Sequence, residues 1–138
     1  MRNCLAVALL VLLVVGCGGP TKPSDNVTDS FTGTVQPSSS DIKLFDIGNT
    51  GEITVKLVTL TPGTNVLVGV LYGQNGSGGC QPVQTNSLVT NNNIGHTVLS
   101  GSILIKGQYC LAVFDPYTVS TGAPWPVAQT YTIEVNHP

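Results

Sequence analysis

The chain has 138 residues, of which 9% are charged, with a formal net charge of −2 and a mean hydropathy of +0.26. That length suits one domain once a leader is removed, and five Lys and Arg against seven Asp and Glu leave no basic patch for nucleic acid. Helix formers are scarce beside Gly, Thr, Val, Asn and Ser, a mixture that suits short strands joined by tight turns.

The chain starts MRNCLAVALLVLLVVGCGG. Arg2 precedes an apolar run over residues 5–15, and a small residue, Gly16, closes it. This is the layout of a secretory signal. The run is about 11 residues, against the roughly 20 that span a bilayer. Val14, Val15, Gly16 and Cys17 together resemble the lipobox of bacterial lipoproteins. The resemblance implies removal of residues 1–16 and acylation of the Cys17 thiol, which becomes the mature N-terminus. Two or more buried acyl chains hold a protein on a membrane stably, at about 0.8 kcal/mol per methylene. The alternative is an ordinary signal peptide with an incidental cysteine. Gly18, where Asp would suggest inner-membrane retention, favours an exported protein anchored on the outer membrane or cell surface.

Cys4 falls in the removed segment. With Cys17 lipidated, Cys80 and Cys110 remain. An even pair in an exported chain reads as a disulfide, with a metal pair or a reactive thiol as alternatives. Two cysteines without nearby histidines make a poor zinc site.

Residues 17–30 are polar, contain two prolines and show no apolar period. They read as the lipidated N-terminus and a flexible linker, with one domain over residues 31–138. Phe31, Gly33 and Val35 then alternate with polar residues, and three serines at 38–40 break the chain. Residues 41–47 form a second strand with Phe45 and Ile47 on one face. After a turn at 49–51, Ile53, Val55 and Leu57 face one way while Glu52, Thr54 and Lys56 face the other, as in a half-buried strand. Residues 61–64 turn the chain. Residues 66–72 are apolar on both faces apart from Gly69, which predicts a central strand. Residues 74–79 form a loop, Cys80 opens a short extended piece, and residues 85–97 are polar with no helical period. Strands follow over 99–105, 108–114 and 130–135, the last two separated by a long loop with three prolines. Seven to eight strands and no helix after the signal predict an all-β antiparallel sandwich, with Greek-key or jelly-roll connectivity.

Phe31-Thr-Gly-Thr-Val35, residues 41–47 and Gly51-Glu-Ile-Thr-Val-Lys-Leu57 resemble the start of the bacterial pre-peptidase C-terminal domain. Gly107-Gln-Tyr-Cys-Leu-Ala-Val113 and Tyr131-Thr-Ile-Glu-Val135 look like its closing strands. The likeness covers residues 31–136 and implies a jelly-roll-like β-sandwich of the kind appended to exported enzymes. No peptidase domain precedes this one in the sequence. Small standalone lipoproteins look similar, paired cysteines included. Some collagen-binding relatives hold calcium near the first strand; here only Asp25, Asn26 and Asp29 lie there, without a recognisable ligand spacing.

The residues that carry chemistry are few. A Ser–His–Asp triad needs a base oriented by a carboxylate, and His96 and His137, the two histidines, read as solvated surface residues. No Gly-x-Ser-x-Gly elbow occurs. Asp41, Asp46 and Asp115 are candidate calcium ligands but read more simply as turn caps, so neither metal nor cofactor is expected. Paired carboxylates for sugar hydrolysis find little support. Asn26-Val-Thr28 and Asn75-Gly-Ser77 match the glycosylation triplet, which carries little weight in a bacterial lipoprotein. Tyr117 and Trp125 lie in the long loop, stiffened by Pro116, Pro124 and Pro126. They suit stacking on a sugar ring or filling a partner's pocket, and equally suit plugging one end of the sandwich.

The expectation is a non-enzymatic, lipid-anchored envelope module that meets an envelope protein or a glycan. A carbohydrate-binding module using Tyr117 and Trp125 is the second reading, and a small hydrolase the third.

Overall fold

The computed structural model describes residues 25–63, 66–83, 87–118 and 123–138. The expected signal, Cys17 and residues 18–24 of the expected linker lie outside the described residues, as do Thr64 and residues 119–122 of the long loop. Nine strands are described: β1 (Val27–Val35), β2 (Ser40–Ile47), β3 (Gly51–Thr61), β4 (Val68–Gly76), β5 (Gly79–Pro82), β6 (Ser87–Val89), β7 (Thr97–Ile103), β8 (Gly107–Phe114) and β9 (Gln129–His137). They form two antiparallel sheets in a sandwich. The first has the order β1-β9-β3-β7 and the second β2-β8-β4-β5, with β6 also on β4. The chain crosses between sheets at every connection except β4–β5 and β5–β6, which is jelly-roll topology. The fold class is thus the expected one. The strand count exceeds the expected seven to eight because the piece after Cys80 and part of the polar 85–97 stretch both pair with β4.

The alternation read from the sequence builds the core. Ile53, Val55 and Leu57 of β3 and Tyr131, Ile133 and Val135 of β9 face Val68, Val70 and Tyr72 of β4 and Tyr109, Leu111 and Val113 of β8 as one buried cluster. β4 is central, with β8 on one side and β5 and β6 on the other. In β3 the period of two breaks after Leu57, yet Leu60 is buried. A register shift between Leu57 and Thr59 against β9 absorbs the extra residue and turns Leu60 inward.

Several expectations need correction, among them the loop expected over residues 74–79, whose first three residues end β4 and whose last opens β5. The linker was expected to run to residue 30, but Val27–Ser30 are the first residues of β1 and pair with β9 from His137 to Glu134. Their polarity follows from position: β1 is an edge strand, half exposed along its length. The strand expected over 99–105 is Thr97–Ile103, so Leu104 and Ile105 fall in the loop after it. His137 is not a solvated surface residue. It is 3% exposed, with its ring 5.3 Å from that of Phe45 and its Nε2 3.1 Å from Asp29 Oδ2, so it clasps β9 to β1.

Cys80 and Cys110 are joined as a disulfide, with Cα atoms 5.7 Å apart. It ties the short edge strand β5 to β8 across β4. The pairing follows from topology, since Asn75 opposes Cys80 and Gly73 opposes Cys110.

Candidate interaction site

Strand directions divide the sandwich into two ends. At one end lie the start of β1, the end of β9, and the β2–β3 and β7–β8 loops. At the other lie the β1–β2 turn, the β3–β4 connection and the long β8–β9 loop. The candidate site is at this second end, and Asp115 organises it.

Asp115 follows β8 directly and is 6% exposed. Its Oδ2 accepts the backbone N–H of Ser38 at 2.9 Å and of Trp125 at 3.1 Å, and its Oδ1 accepts that of Tyr117 at 3.1 Å. The Asp115 N–H in turn donates to the Ser39 carbonyl at 3.0 Å. One carboxylate therefore satisfies three backbone donors from two loops that would otherwise be stranded near the core. Ser38 takes a φ of 59°, the left-handed region, to aim its N–H there. The expectation of a turn-capping role holds at this residue. Among the described residues no group of three or more His, Cys, Asp or Glu is placed to hold a metal ion.

Trp125 is 6% exposed, and its indole N–H donates to the Leu67 carbonyl at 2.7 Å. It plugs this end of the sandwich, and its ring is committed to the core rather than offered to a sugar. Tyr117 remains 41% exposed beside it. Gln129, buried at the start of β9, accepts the Gly63 N–H on Oε1 and donates to the Val127 carbonyl, so the β3–β4 and β8–β9 connections are tied together.

From this end a groove of about 450 Å³ runs along the outer face of the second sheet. Ser38, Ser39 and Ser40 rim it, and Ile42, Leu71, Ala112 and Phe114 line it. Gly69 is what allows the Phe114 ring to lie flat across β4, because a Cβ there would meet the ring. Ile42 and Leu44 on β2 stay about half exposed on the same face. The arrangement suits apolar contact bordered by hydroxyls. The sequence signal for it was the second set of apolar residues in β2 and β8, which a one-sided alternation leaves unexplained.

The remaining candidates are dispersed. His96 is exposed in the β6–β7 connection, where its carbonyl accepts the Leu57 N–H. His137 sits with Asp29 at the opposite end. Asp46 is exposed near the end of β2. Asp41 and Asp46 lie within β2 and not at turns, so the turn-cap expectation is corrected for both: the Asp41 Oδ2 accepts the Tyr131 hydroxyl at 3.0 Å and pairs with Lys43 at 3.0 Å. Burial, then the Asp41 charge, then this hydrogen bond all push the Tyr131 phenol well above its usual range.

No protein-family model matches the chain, and no curated protein does. What defines the protein as a class is its fold, a disulfide-linked jelly-roll β-sandwich.

Proposed function

We propose that the protein is a non-catalytic, lipid-anchored module of the bacterial cell envelope that presents the Asp115 end and its groove to a partner. One observation carries the reading. Val27 pairs with His137, so the chain enters the sandwich at the end opposite Asp115. A lipid on Cys17 would therefore leave the groove end facing away from the membrane. The lipobox-like sequence supplies the anchor, the polar residues after Cys17 supply reach, and the disulfide supports a durable body. The resemblance to pre-peptidase C-terminal domains is compatible with the same fold class.

The carbohydrate-binding reading loses one of its two aromatics, because the Trp125 indole is buried. Tyr117 alone remains for it.

Mass spectrometry of the exported protein tests the anchor. The expected result is a diacylated Cys17 and a membrane-bound product that Cys17→Ser releases. An unmodified thiol on a freely soluble product would refute it. In-cell photo-crosslinking from positions 42 and 117 tests the interaction half, with a discrete adduct expected at one or both. No adduct from either position removes it.

A further inference from the structure

We infer that the β7–β8 loop is a second membrane contact, in which Leu104 and Ile105 insert into the surface of the bilayer that holds the lipid anchor. The inference rests on the anchor proposed above. At 80% and 62%, these are the two most exposed large hydrophobic side chains among the described residues. Single exposed apolar residues are ordinary. This pair is unusual because its backbone is fixed: the Tyr109 hydroxyl donates to the Ile105 carbonyl at 2.7 Å, and Lys106 Nζ donates to Asn49 Oδ1 at 3.4 Å. The fold spends a buried tyrosine hydroxyl on holding a loop whose two apolar side chains point to solvent.

The pair also lies at the end where the chain enters the domain. His137 opposes Val27 and Asn136 opposes Thr54, which puts Val27 level with Ile53. Ile103 opposes Gly51, two residues further along β3, and Leu104 comes next. At about 3.3 Å per residue, the loop projects roughly 7–10 Å past the start of β1. The nine residues between Cys17 and Val27 have a root-mean-square span of about 17 Å if they behave as a flexible chain. A lipidated Cys17 thus keeps this end near the membrane surface, with Leu104 and Ile105 foremost. Two side chains offer far less than the roughly 800 Å² per partner of a stable protein interface, which argues against a second copy as the occupant. Lys106, next in the chain, would then bring its ammonium to the depth of the lipid headgroups.

The test uses the full lipidated protein reconstituted in vesicles of mixed zwitterionic and anionic glycerophospholipid. Trp emission of a Leu104→Trp variant is read against wild type, whose Trp125 is a constant buried background. Blue-shifted emission, lost when the lipids carry brominated acyl chains, is expected for Leu104→Trp and for Ile105→Trp. Tyr117→Trp at the far end should show neither. Solvent-like, unquenched emission at positions 104 and 105, with the protein still co-sedimenting, overturns this inference and leaves the anchor standing. Failure to co-sediment overturns both.

Discussion

The Tyr131 hydroxyl donates to Asp41 Oδ2 at 3.0 Å, joining β9 of one sheet to β2 of the other through the interior of the sandwich. Directly opposite Tyr131 on β1 is Gly33. The phenol ring lies over the space that a side chain at position 33 would occupy. The polar link between the sheets therefore depends on a glycine in the edge strand.

Tyr131→Phe keeps the ring and removes the bond. The expected loss is about 1–2 kcal/mol of stability, since Asp41 keeps Lys43 as partner. Urea denaturation measures it, and an unchanged midpoint would show that the bond contributes nothing.

The same substitution should alter the response to alkali. Tyr131 and Tyr72 are both raised above the usual phenol value near 10, chiefly by burial, with the charge of Asp41 second for Tyr131 and Tyr109 second for Tyr72. The folded state then binds more protons than the unfolded state above pH ~10, so stability falls as pH rises there. The contribution is fully present below the unfolded value and is lost progressively above it. Denaturation midpoints taken between pH 8 and pH 11 should be flat and then decline, with a shallower decline in Tyr131→Phe. A wild-type midpoint that rises through pH 10 contradicts this.

Gly33→Ala should destabilise by about 1–3 kcal/mol, as overpacking does. The new Cβ would lie 2.8 Å from the Tyr131 hydroxyl and closer still to the Asp41 carboxylate. Tyr131→Phe combined with Gly33→Ala should cost less than the sum of the two, because loss of the hydroxyl removes one contact and frees the Asp41 carboxylate, the group nearest the new methyl, to move away. A double-mutant cycle reads that coupling.

Asp115→Ala strands three backbone donors at once. A loss of about 3 kcal/mol or more is expected at this buried site. Trp125 should become wetter, seen as a red shift of its emission. Tyr117→Ala, by contrast, should stay within about 0.5 kcal/mol of wild type. That makes Tyr117→Ala the clean test of glycan binding. Retention on a polysaccharide column that survives this substitution would remove Tyr117 from the carbohydrate-binding reading.

Reducing the Cys80–Cys110 bond opens a loop of 30 residues. On the chain-entropy estimate this costs about 3.5 kcal/mol. Cys80→Ser with Cys110→Ser should lower the urea midpoint accordingly. Faster hydrogen exchange should be concentrated in β5, whose hold on the sheet is short.

Alternation in the sequence was enough to place β3 and β9, because each buries one face and a slip of one residue would turn the apolar set outward, while β8 was read from its continuous apolar run. A run apolar on both faces likewise placed β4 at the centre, and the even pair of cysteines left after the expected lipidation pointed to the disulfide. β5 and β6 are four and three residues long, too short to show a period, and it is their pairing with β4 that makes them strands. Val27–Ser30 read as linker for a related reason, since an edge strand is solvated and needs few apolar residues.

The sequence by itself pointed to the sandwich, since period-two burial calls for a sheet with one face covered, and its signal-like start and lipobox-like cysteine are what the proposed anchor rests on. Only the tertiary structure decided the roles of His137, Asp115 and Trp125. Each is a polar or amphipathic side chain whose burial depends on partners 10 to 108 residues away, Trp125 for Asp115 and Asp29 for His137. Local pattern cannot register such pairings, because the contact that satisfies the polar atom is made by the folded chain and not by its neighbours in sequence.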